Sequence, residues 1–125
     1  DGALTVTNNS VRQEFYSVQY HIADKIPTVE GTSYKVTLNI KASSAGQITL
    51  VLGDWGKTSD VKIDITNEWK EVSAELIGKH TGDSFVMLQS SNFAGTIDIK
   101  CEGDAFRISG RCINRCICCR GRFLQ

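Results

Sequence analysis

The chain has 125 residues, 41% of them hydrophobic, and its 14 basic residues balance 14 acidic ones. That is enough apolar material for one domain with one core, and no run approaches the ~20 apolar residues of a membrane-spanning helix. The first 106 residues hold all 14 acidic residues and nine basic ones, a net charge of −5, while the last 19 hold five arginines and no acid; the body therefore offers no basic stripe for nucleic acid.

Alternation with a period of two dominates the body, the mark of half-buried strands. The chain opens at Asp1 with a polar alternating segment and no signal peptide, as expected of an excised module or a mature fragment. Ala3 to Thr7 reads as a short strand and Asn8-Asn9-Ser10 as a turn. Phe15 to Ile22 reads as a second strand, with Val18, Tyr20 and Ile22 inward and Ser17, Gln19 and His21 outward. Ala23 to Gly31, with Pro27, reads as a loop. Thr32 to Ala42 is the clearest strand: Tyr34, Val36, Leu38 and Ile40 face one way, and Lys35, Thr37, Asn39 and Lys41 the other. A turn over Ser43 to Gly46 leads into the strand Gln47 to Leu52, which stops at Gly53 and presents Trp55 just before Gly56.

Val61, Ile63 and Ile65 mark the next strand, and Trp69 to Ile77, Ser84 to Gln89 and Thr96 to Cys101 follow. The loop Ser90 to Gly95 carries Asn92 and Phe93. About eight short strands at roughly ten-residue spacing, with no helix pattern, predict an all-β fold, an antiparallel β-sandwich of jelly-roll type.

Catalytic chemistry is thinly supplied. His21 and His80 lie far apart and outside any metal-binding spacing, and there is no nucleophile elbow or phosphate loop. The acidic residues fall mostly on the outward side of strands, so a hydrolytic carboxylate pair is a minor reading. Binding chemistry is better supplied. Trp55 between two glycines is either a lid folded back on the core or a flat platform for the apolar face of a sugar ring. Amides on outward positions, Gln19, Asn39, Gln89 and Asn92 among them, both donate to and accept from hydroxyls.

Three motifs carry a family resemblance. The run 31–43, GTSYKVTLNIKAS, resembles the signature strand of carbohydrate-binding modules of families 4, 9 and 22. The run 67–73, NEWKEVS, is similar to their strand opening on tryptophan, and FVMLQ at 85–89 with GTIDIK at 95–100 to their closing strands. The resemblance covers about residues 3–101 and implies a non-catalytic jelly-roll module. Such a module binds xylan or a xylo-oligosaccharide, or mixed-linkage β-glucan, in a groove. It is appended to a parent glycoside hydrolase domain and works at plant cell-wall polysaccharide, outside the cell or at its surface.

The resemblance implies ligand-binding roles for Trp55, Gln19 and Gln89, with Phe93 as a second aromatic, Asn92 and Asn39 as further amides, and Trp69 as a structural residue at the sheet edge. It also implies a structural calcium in many members, although the N-terminal segment that often supplies its ligands is very short here. A structural or protein-interaction sandwich of a multidomain enzyme is the alternative reading.

Domain limits are expected at 1–106 for the sandwich and 107–125 for a tail of different composition. Cys112, Cys116, Cys118 and Cys119 lack the paired spacing of zinc modules. A non-native extension, a disulfide-bearing tail and an arginine-rich anchor all fit that composition. The sandwich is expected to be complete by Cys101, with Phe106 and Ile108 able to pin the tail against it.

Overall fold

The computed structural model describes residues 3–100, 105–109 and 111–112. Its strands are β1 (Ala3–Asn8), β2 (Gln19–Thr28), β3 (Ser33–Ala42), β4 (Gly46–Asp54), β5 (Lys57–Ile65), β6 (Lys70–Ile77), β7 (Gly82–Gln89), β8 (Gly95–Lys100), β9 (Arg107–Ile108) and β10 (Arg111–Cys112). They form two antiparallel sheets, the sandwich that the alternation predicts. One sheet has the order β2-β7-β4-β5. In the other, β3 pairs with β6 along one edge; along its other edge it pairs first with β8 and then with β9, and β1 flanks β8.

The core lies between the sheets and follows the inward positions of each strand. Val36, Leu38 and Ile40 of β3 meet Leu50 and Leu52 of β4, Val86 and Leu88 of β7, and Ile97 and Ile99 of β8, all buried in one cluster. Each such side chain contributes on the order of 1.5–3 kcal/mol by leaving water.

Four expectations are corrected. The second strand begins at Gln19 rather than Phe15 and runs on through Pro27 to Thr28. Pro27 is tolerated because β2 is an edge strand, where one side of the ladder needs no N–H donor. Two register shifts and a left-handed Lys25 (φ 58) bend this edge. The stretch 15–18, read as strand, is irregular like the turn region 9–14 before it, and Ser91 holds this segment. The Ser91 hydroxyl accepts from the Val18 N–H at 2.8 Å and donates to the Phe15 carbonyl at 2.8 Å. The Ser91 carbonyl accepts from the Arg12 N–H at 2.7 Å.

The outer face of the four-stranded sheet is also not wet throughout: Val51, Phe85 and Met87 form a second buried apolar cluster there. Finally, the sandwich is not complete by Cys101. Phe106 (1% exposed) and Ile108 (4%) belong to the main core, and Arg107–Ile108 pair with Val36–Thr37 of β3. The Ser109 N–H adds a bond to the Lys35 carbonyl at 2.7 Å. Cys116, Cys118 and Cys119 fall outside the described residues.

Candidate functional site

The outer face of the sheet β2-β7-β4-β5 is built in rows by the strand register. One row is polar: Gln19 of β2, Gln89 of β7, Thr49 of β4 and Lys62 of β5 stand side by side. In the next, His21, Met87, Val51 and Asp60 are aligned in the same way. Beyond it Phe85 faces Gly53, and the chain then turns through Trp55.

The turn dictates where the indole goes. β4 and β5 are joined by only Trp55 and Gly56, with Asp54 paired to Lys57. Gly56 takes φ +81, which glycine adopts without strain. Trp55 consequently leans over the sheet face. Its ring centre is 4.8 Å from that of Phe85 and 5.6 Å from that of His21, and His21 stacks on Phe85 at 4.5 Å with 27° between planes. The His21 ring is tethered through Nδ1 to the Asp24 carboxylate at 2.6 Å. Phe85 is 5% exposed and Trp55 62%, so the indole is supported from beneath and open above. It is neither a core lid nor an unsupported loop residue.

The amides are arranged for hydroxyls. Gln89 Nε2 donates to Gln19 Oε1 at 3.1 Å. That bond leaves the Gln19 NH₂ group as a donor and the Gln89 carbonyl oxygen as an acceptor, each with no other partner among the described residues. Asn92 is exposed at the same end of the face, where its Nδ2 donates to the Gln47 carbonyl at 2.8 Å. With Gln89 and Thr49 it lines a cleft of about 200 Å³.

Two predicted site residues lie elsewhere. Phe93 is 6% exposed and belongs to the core. Its ring fills a slot bounded by Gly46 and Gly95, where an added Cβ would come within 2.8 Å and 3.0 Å of it. Asn39 lies on β3 in the other sheet, between Glu71 and Lys100. Trp69 is there too, 39% exposed, with Lys100 Nζ 4.5 Å and Lys41 Nζ 5.8 Å from its ring. Sequence reasoning missed Phe15, which is 67% exposed and lines the cleft, and the roles of His21 and Phe85 beneath Trp55. The doublet Phe15-Tyr16 next to a polar turn was the available signal.

Among the described residues no group of three or more His, Cys, Asp or Glu is placed to hold a metal ion.

No protein-family model matches the chain, and no curated protein matches it. Solved structures do. BiXyn10A CBM1 in its apo form is 28% identical, with a TM-score of 0.74 over 86% of this chain and 73% of that one. The second N-terminal cellulose-binding domain of β-1,4-glucanase C from Cellulomonas fimi is 15% identical, with a TM-score of 0.63 over 90% of this chain and 78% of that domain. A family 11 carbohydrate-binding module from Clostridium thermocellum, in complex with a β-1,3-1,4-mixed-linked tetrasaccharide, is 13% identical, with a TM-score of 0.53 over 89% and 85% of the two chains. The chain thus has the jelly-roll fold of carbohydrate-binding modules, and its resemblance to those of the family 4/9/22 type is one of structure as well as of sequence motifs.

Proposed function

We propose that the chain is a non-catalytic module that binds a neutral, xylan-type β-1,4-linked polysaccharide across the outer face of its four-stranded sheet. One observation carries this reading: an exposed Trp55, braced by Phe85 and His21, shares that face with the Gln19–Gln89 amide pair. A stacking platform and a donor–acceptor pair on one face are what a pyranose ring with equatorial hydroxyls requires.

Thr49 and Gly53 are four residues apart on β4, roughly 13 Å of strand, so a ligand touching both ends of the face spans several sugar rings. The fold shared with BiXyn10A CBM1 and with a module seen holding a mixed-linkage tetrasaccharide supports a polysaccharide ligand. On this reading the module works outside the cell or at its surface and directs an attached glycoside hydrolase to plant cell-wall polymer.

Affinity should be modest, because an open polar face displaces water for each contact it makes. Affinity electrophoresis in gels containing soluble xylan, mixed-linkage β-glucan or no polymer tests the proposal. Retardation by xylan is the expected result. Mobility unchanged by either polymer would favour a structural or protein-interaction sandwich, and release of reducing sugar would make it a hydrolase.

A further inference from the structure

The cleft at the end of the face away from Trp55 carries charge that a neutral polysaccharide does not need. Two cations line it, Arg12 and Lys62, together with Phe15, Thr49, Gln89 and Asn92, and no acidic residue does. The first 106 residues are acidic overall, so two cations in one acid-free cleft run against the background. Neither takes part in the ion pairs His21–Asp24, His80–Asp54 and Arg107–Glu71 seen among the described residues.

Both cations are fixed at their backbones. Lys62 sits in the ladder opposite Thr49, and the Arg12 N–H is bonded to the Ser91 carbonyl at 2.7 Å. Asp60 and Asp64 flank Lys62 on the same side of β5, and the hollow that Asp60 lines adjoins the cleft through Phe15, Thr49, Lys62 and Gln89. Asp64 accepts a hydrogen bond from the Gln47 amide at 3.1 Å, and Asp60 lines the neighbouring hollow on the side of Val51.

We propose that this cleft is a subsite for a carboxylate-bearing sugar, a uronic acid branch on the polysaccharide whose backbone lies along the sheet toward Trp55. The inference rests on the binding face proposed above and adds to it the class of substituent that the module selects. A guanidinium presents a planar fork that matches a carboxylate, and an ammonium beside it serves as a point charge. The side-chain carbonyl oxygens of Gln89 and Asn92 remain as acceptors for the hydroxyls of the same ring.

Titration calorimetry on the full chain, with a xylo-oligosaccharide and with the same oligosaccharide carrying one uronic acid branch, tests this. The readout is the ratio of the two affinities, so any general weakening of binding cancels. The wild-type chain should bind the acidic ligand roughly fivefold more tightly at low salt, as exposed charge pairs allow. That preference should fall toward one at about 0.5 M sodium chloride. The double variant Arg12→Gln, Lys62→Gln should lose it at low salt. Equal affinity for the two ligands, or a preference that survives the double substitution, overturns this inference and leaves the binding face standing. Failure to bind either ligand overturns both.

Discussion

The indole of Trp55 rests on the ring of Phe85, with 4.8 Å between centres and 47° between planes. That contact ties a two-residue turn to β7, an interior strand of its sheet. Phe85 in turn stacks on His21, which Asp24 tethers. The platform therefore loses little freedom when a ring settles on it, which is how an aromatic residue yields affinity at low entropic cost. Replacing Trp55 with alanine should weaken xylan binding by about 2 kcal/mol, roughly 30-fold. The melting temperature should hardly move, because the side chain is 62% exposed. Gel retardation and a thermal melt on the same variant check both halves.

Gln19→Ala and Gln89→Ala should each weaken xylo-oligosaccharide binding several-fold, corresponding to about 0.5–1.5 kcal/mol for a lost hydrogen bond. The two effects should not add, because the amides are bonded to each other at 3.1 Å and act as a unit. Calorimetry on both single variants and the double variant measures the coupling.

Ile108 is expected to be structural. It is 4% exposed in the main core, at the point where β9 extends the ladder on β3. Ile108→Ala should cost about 2–5 kcal/mol, the range for emptying a buried aliphatic site. Deleting residues 107–125 should cost at least as much, because it removes β9 with Ile108. Chemical denaturation of both forms provides the comparison.

Tyr20 should make stability sensitive to alkali. Burial against the core pushes its phenol up to about 12, and its oxygen has no hydrogen-bond partner among the described residues. The folded value lies above the unfolded one of about 10. The contribution is therefore complete below pH ~10 and is lost as pH rises from there through the folded value, by about 3 kcal/mol. Tyr20→Phe should flatten that part of the stability–pH curve. It should cost little at neutral pH, because the hydroxyl it removes has no hydrogen-bond partner among the described residues.

Much of this was visible in the sequence because strand alternation is a local property. The run Tyr34, Val36, Leu38, Ile40 identifies both β3 and its buried side, and the two glycines identify the Trp55 turn. What alternation does not carry is which sheet an outward side chain belongs to. Asn39 and Gln19 look equivalent on their strands, yet strand order puts them on opposite faces of the sandwich. Phe93 sits in a run that reads as a loop, and only the glycines at 46 and 95 open the slot that takes its ring inward. Phe15 lies in what reads as a strand; its exposure depends on bonds to Ser91, 76 residues away. Ile108 is hidden by the Arg- and Cys-rich composition around it.

The two tryptophans make the central claim directly measurable, since Trp55 lies on the face of the four-stranded sheet and Trp69 against Lys100 of the other. Their indole N–H signals in a nitrogen–proton correlation spectrum report the two faces separately during titration with a xylo-oligosaccharide. The Trp55 indole, with the side-chain amides of Gln19 and Gln89, should shift in proportion to binding while Trp69 stays still. Movement of Trp69 with Trp55 fixed would put the ligand on the opposite sheet, and saturating ligand with neither signal moved would contradict the account altogether.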